Sequence, residues 1–90
     1  MGMSAVQYKI MPESIEDDLN SIRNVVEAKI VELGGVMSSV EERPIAFGLK
    51  ALIFSFAYPE EKEIDVIGNI LSEIEKVSSA EMIDYRRALG

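Results

Sequence analysis

Gly48-Leu49-Lys50-Ala51-Leu52-Ile53-Phe54-Ser55-Phe56-Ala57-Tyr58 is the stretch on which the fold turns. Leu52, Phe54 and Phe56 recur at a spacing of two, which puts them on one face of a strand. Ala51 and Ile53 keep the opposite face apolar as well. A strand with no polar side belongs in the middle of a sheet, where both faces are shielded. The remaining elements are placed by working outward from it.

Upstream, Pro44-Ile45-Ala46-Phe47 reads as an apolar loop tip held between Pro44 and Gly48. Loops are ordinarily polar, so this tip either packs on its own domain or is built to enter another protein. Before it, Val36 to Glu42 reads as a strand, polar enough (Ser38, Ser39, Glu41, Glu42) to be an edge. Gly34-Gly35 stops the helix that precedes it. That helix carries Ile15, Leu19, Ile22, Val26, Ile30 and Leu33 at steps of three and four, one apolar face. Ser14 and Asp17 resemble a capping box, and Glu16, Asp17 and Asp18 are expected in the first turn, where carboxylates suit the helix dipole. Ala5 to Met11 alternates Val6, Tyr8 and Ile10 against Gln7 and Lys9, a half-buried strand ended by Pro12.

Downstream, Pro59 is expected to open a second helix with Glu60, Glu61 and Glu63 in its first turn. Ile64, Ile67, Leu71 and Ile74 form its buried stripe. Gly68 inside it costs about 1 kcal/mol against alanine, which close approach to the sheet would explain. Val77 to Arg87 reads as the last strand, with Ala80, Met82 and Asp84 alternating against Glu81, Ile83 and Tyr85. The order strand, helix, strand, strand, helix, strand predicts an α+β, ferredoxin-like split βαβ sandwich. Its four-stranded antiparallel sheet carries both helices on one face and has the first and third strands in the middle. Crossovers are expected to be right-handed.

Ninety residues, 48% of them apolar, fit one domain over residues 1–90 with a modest core. A formal net charge of −7 lacks the basic footprint of a nucleic-acid binder and favours encounter with a basic protein surface. The chain has neither cysteine nor histidine, which excludes thiol chemistry and imidazole-ligated metal. Met1 to Val6 has no secretory pattern, and the apolar run Ala51 to Tyr58 is too short to span a bilayer. A cytoplasmic location is expected. The acidic clusters lack calcium-loop spacing and read as solvated helix starts. No phosphate loop is present, and no cofactor is expected. Arg86-Arg87 sets two of the nine basic residues side by side, either as a solubilising tail or as a probe for a phosphate or carboxylate on a partner.

Three segments carry a resemblance: Lys9-Ile10-Met11-Pro12-Glu13-Ser14, Pro44-Ile45-Ala46-Phe47-Gly48-Leu49-Lys50-Ala51-Leu52, and Val77-Ser78 through Tyr85-Arg86-Arg87. With the element order, they make the chain resemble the archaeal elongation factor 1-beta family. They also resemble the C-terminal catalytic domain of the eukaryotic counterpart. The resemblance implies the same sandwich and a guanine-nucleotide exchange function toward elongation factor 1-alpha, the GTPase that delivers aminoacyl-tRNA to the ribosome. It implies no covalent chemistry. The partner would be engaged in its GDP-bound or nucleotide-free form by a protein that is a monomer alone. The resemblance further implies a partner-binding loop at Ile45, Ala46, Phe47 and Gly48, with the Phe47 ring entering the partner. A basic residue near the chain end would approach the partner's Mg²⁺ and phosphate site. Alignment of Val77 and Glu81 puts Arg87 there, with Arg86 beside it, where eukaryotic members carry a lysine. The chain continues through Leu89-Gly90. Read without the resemblance, the residues also fit a small-molecule-sensing or oligomerising ferredoxin-like domain. An acylphosphatase-type enzyme would need an anion-binding loop after the first strand, where this chain has the acidic Met11-Pro12-Glu13-Ser14.

Overall fold

A computed structural model describes residues 2–87; Met1 and the Leu89-Gly90 extension lie outside them. Its elements are β1 (Met3–Pro12), α1 (Leu19–Glu32), β2 (Val36–Pro44), β3 (Lys50–Pro59), α2 (Asp65–Ser72) and β4 (Val77–Arg87). The strands form one antiparallel sheet in the order β2-β3-β1-β4. This is the ferredoxin-like α+β arrangement expected from periodicity, with the first and third strands central and the polar β2 at an edge.

The alternation of β1 explains the core. Val6, Tyr8 and Ile10 face the helices and sit opposite Phe56, Phe54 and Leu52 of β3. These six side chains, Tyr58 and Val77 are buried together with Ile22, Val26 and Ile30 of α1 and Ile67 and Leu71 of α2. Both helices therefore lie on one face. Ala51 and Ile53 are also buried, at 0% and 2% exposure, although they point to the helix-free face. Ile53 is flanked there by Lys9 and Glu41, long side chains whose stems shade it. Gly68 packs against the sheet without the closeness that would demand glycine: a Cβ on it would lie 3.4 Å from the Tyr8 hydroxyl oxygen, an ordinary contact.

Several boundaries differ from the sequence reading, and one strand carries a change of register. The first helix begins at Leu19, not at Ile15. Residues Ser14–Asp17 make a turn of their own, with the Ser14 N–H donating to Asp17 Oδ2 at 2.9 Å and the Glu16 N–H to Ser14 Oγ at 3.1 Å. Asp18 then caps α1 by accepting from the Asn20 N–H at 3.0 Å. Local side-chain bonding by Ser and Asp thus outcompetes the extra helical turn. Ile15 leaves the core face and is 63% exposed, and Glu16 and Asp17 precede the helix. The second helix begins at Asp65, so Glu60, Glu61 and Glu63 also precede their helix. β3 begins at Lys50, because Gly48 belongs to the hairpin turn. In β4 the expected alternation breaks. Gln7 pairs with Asp84 and Tyr8 with Met82, which leaves Ile83 as an extra, bulged residue. Beyond it Tyr85 turns toward the helix side, where it accepts from the buried Ser4 hydroxyl at 3.0 Å.

The stop at Gly34-Gly35 holds. Gly34 has φ +103°, its N–H donates to the Val31 carbonyl and the Gly35 N–H to the Ile30 carbonyl. That is the paired bonding of a Schellman end, which needs a left-handed residue at this position. Among the described residues no helix is long and apolar enough to cross a membrane.

Candidate functional site

The β2–β3 hairpin closes at the Pro44–Lys50 pair. Beyond it the Ile45 N–H donates to the Leu49 carbonyl at 2.9 Å, and the Leu49 N–H donates back to the Ala46 carbonyl at 2.9 Å. Ala46 to Leu49 is thus a four-residue turn with Phe47 and Gly48 at its centre. Their φ values are +56° and +83°. Positive φ at both central positions marks the mirror-image turn that matches the twist of a hairpin. Gly48 adopts it freely. Phe47 does not, since a left-handed residue with a Cβ crowds the following carbonyl at a cost of about 1–2 kcal/mol.

The ring of Phe47 is 96% exposed. It does not cap its own core. The turn holds a large apolar group in water in a disfavoured backbone conformation, and strain of this kind collects where a group must be presented. Ile45 is 46% exposed beside it. Ala46 and Gly48 are exposed too, so the four tip residues expected from sequence stand together. The loop Glu13–Asp18 runs alongside. Asp17 is largely buried there and pairs with Lys76 at 3.8 Å, while the Glu13 N–H donates to the Lys76 carbonyl at 3.0 Å.

Arg86 and Arg87 lie elsewhere. Arg87 is opposite Ser4 and Arg86 opposite Ala5, at the far end of β1 and β3 from the hairpin tip. Seven residues of β3 separate the level of Arg86 from the Pro44–Lys50 pair. At about 3.3 Å per residue the two sites stand roughly 25 Å apart. The structure therefore brings the tip residues together and the two arginines together, but not one group to the other. Strand alternation also sends the arginines to opposite faces. Arg86 shares the helix-free face with Asp84 and bonds it, Nε to Oδ2, at 3.3 Å. Arg87 is on the helix side, and no ion pair of Arg87 is seen among the described residues. Arg86 is highly exposed, so its pair with Asp84 holds it weakly.

Among the described residues no cluster of three or more carboxylates is arranged to hold a metal. The perturbed ionisations lie in the core: burial raises the Tyr8 hydroxyl, with Asp65 adding to the effect, and burial raises that of Tyr58. The residue that periodicity misplaced is Ile15. Its signal was present in the Ser14–Asp17 spacing, which a turn satisfies as well as a helix cap does.

Residues 5–87 match the sequence model of the EF-1 guanine nucleotide exchange domain. A protein named elongation factor 1-beta from Metallosphaera sedula is 39% identical over 84 residues, covering 91% of this chain and 91% of its own. One of the same name from Methanothermobacter thermautotrophicus is 36% identical over 90 residues, covering 99% and 100%. A third, from Methanosarcina acetivorans, is 44% identical over 62 residues, covering 69% and 70%.

Proposed function

The chain belongs to the EF-1 guanine nucleotide exchange domain family, and from that premise we propose how it acts as a guanine-nucleotide exchange factor on elongation factor 1-alpha. Residues 1–90 work as a single domain. The tip residues Ile45, Ala46, Phe47 and Gly48 dock on the partner through the Phe47 ring. The basic end, Arg86 and Arg87, reaches toward the partner's nucleotide phosphates. The factor acts on the GDP-bound or nucleotide-free partner, is a monomer by itself and works in the cytoplasm. The observation that carries this reading is the 96% exposed ring of Phe47 held outward by its turn.

Exchange needs no bond making, only differential binding. A factor that prefers the partner with its nucleotide site disturbed must, by linkage, weaken nucleotide binding by the same factor. The separation of the two ends divides the labour. The ring anchors at one place, and the guanidinium acts about 25 Å away, so the ring does not itself press on the nucleotide. Burying a phenylalanine is worth about 2–3 kcal/mol, or roughly 30- to 140-fold in affinity. At the other end a cation competes with Mg²⁺ for the same phosphate oxygens. An arginine does this as a planar fork that pairs two oxygens, not as the compact charge of a lysine.

The direct test is release of fluorescent GDP from the cognate elongation factor 1-alpha. Added protein should accelerate release, and Phe47→Ala should lose most of the acceleration while staying folded. Full acceleration by a folded Phe47→Ala protein would remove the ring from the mechanism.

A further inference from the structure

We infer that Ile15 is a second apolar docking residue, meeting the same surface of elongation factor 1-alpha as Phe47. The inference rests on the proposed role of the tip and extends it to a neighbouring loop. Ile15 is 63% exposed and lies outside the core cluster. Solitary exposed aliphatics are ordinary on protein surfaces, but this one is held in place. The Ser14 N–H and the Glu16 N–H are bonded to Asp17 Oδ2 and Ser14 Oγ, and the Asp17 N–H donates to the Ser14 carbonyl at 3.2 Å. Asp17 and Glu13 tie the loop down to Lys76, itself in the left-handed region at φ +75°. A loop braced at so many points does not need an isoleucine at its apex to stay folded.

Its position completes the argument. Ile15 Cγ2 lies 3.6 Å from where a Cβ on Gly48 would sit. The Ile15 loop and the hairpin tip share a cleft of about 230 Å³ lined by Ile15, Leu19, Gly48 and Lys50. Ile15, Gly48 and the exposed Phe47 therefore form one continuous end of the molecule. Glu13, Glu16 and Asp18 are exposed around it, on a chain of net charge −7. The matching surface is apolar at its centre and basic at its rim. Continuity with the Phe47 tip assigns it to the elongation factor.

The test compares wild type, Ile15→Ser, Phe47→Ala and the double variant by equilibrium binding to purified elongation factor 1-alpha. Melting curves and sedimentation of each protein alone accompany it. Ile15→Ser should weaken the complex about tenfold, the worth of burying part of an isoleucine, at an unchanged melting temperature. The double variant should lose less than the product of the two single losses, because the contacts are adjacent. Wild-type binding by Ile15→Ser alongside weakened Phe47→Ala would overturn the inference and leave the tip intact. Wild-type binding by both would remove the docking reading as well. A lowered melting temperature with unchanged binding would assign Ile15 to the fold. An altered sedimentation of the protein alone would assign the patch to a second copy of the chain. Multiplicative losses would make the two contacts independent and overturn the single patch.

Discussion

Replacing Phe47 with asparagine should move stability and exchange in opposite directions. The turn at Ala46–Leu49 demands positive φ at Phe47. Asparagine tolerates that region far better than a bulky side chain, through local hydrogen bonding of its amide. The ring forfeits nothing on removal from the free protein, since at 96% exposure it packs on nothing there. Relief of part of the left-handed cost should therefore stabilise the fold by up to about 1 kcal/mol. For a domain of this size that is a rise in melting temperature of about 4–8 °C. The complex, by contrast, loses the ring's burial, about 2–3 kcal/mol, so exchange efficiency should fall roughly 30- to 140-fold. Calorimetry reads the first effect and fluorescent-GDP release from elongation factor 1-alpha reads the second. A melting temperature that falls by several degrees would mean the ring packs at home in solution. Undiminished exchange would mean the ring contributes nothing to the partner. Either result refutes the reasoning.

Asp18→Ala removes the cap that accepts from the Asn20 N–H and the Ser21 hydroxyl. It should cost about 1 kcal/mol, visible as a lower melting temperature. Arg87→Ala should slow GDP release more than Arg86→Ala does, because Arg86 already spends part of its charge on Asp84; both losses should shrink at high salt, where charge competition is screened. The stability contributed by the buried tyrosines should hold from neutral pH to about 10 and then decline, since tyrosines titrate near 10 when unfolded and Tyr8 and Tyr58 are raised when folded. A group so raised stabilises fully below its unfolded value and loses that contribution as pH climbs through the folded one. Denaturant titration of wild type and Tyr58→Phe checks this, and the variant should show the shallower alkaline decline.

The central strand was legible because Ala51, Ile53 and the Leu52–Phe56 face leave no polar side, and two-fold periodicity in β1 fixed which residues meet it. The helix starts were not, because Ser14, Asp17 and Pro59 serve a turn as readily as a helix, and propensity cannot choose between two local bonding schemes of similar energy. The bulge at Ile83 was hidden for a different reason. Nothing in the run Met82-Ile83-Asp84 departs from strand composition, and only pairing with Gln7 and Tyr8 leaves one residue over. Phe47 was identifiable as a candidate from its place between Pro44 and Gly48, but its exposure depended on the sign of its own φ. The gap between tip and tail follows from strand register, which no local pattern carries.

The continuity of the sheet between those two ends has its own result. A hydrogen-bonded four-stranded sheet is stiff along its strands, so its length cannot be adjusted to suit what it meets. A body gripped at both extremities behaves as a gauge. It fits fully only when the two receiving surfaces stand at the matching span, and any rearrangement that alters that span releases one extremity while the other still holds. Departure can then proceed stepwise, each step weak, although the fully seated pair is tight.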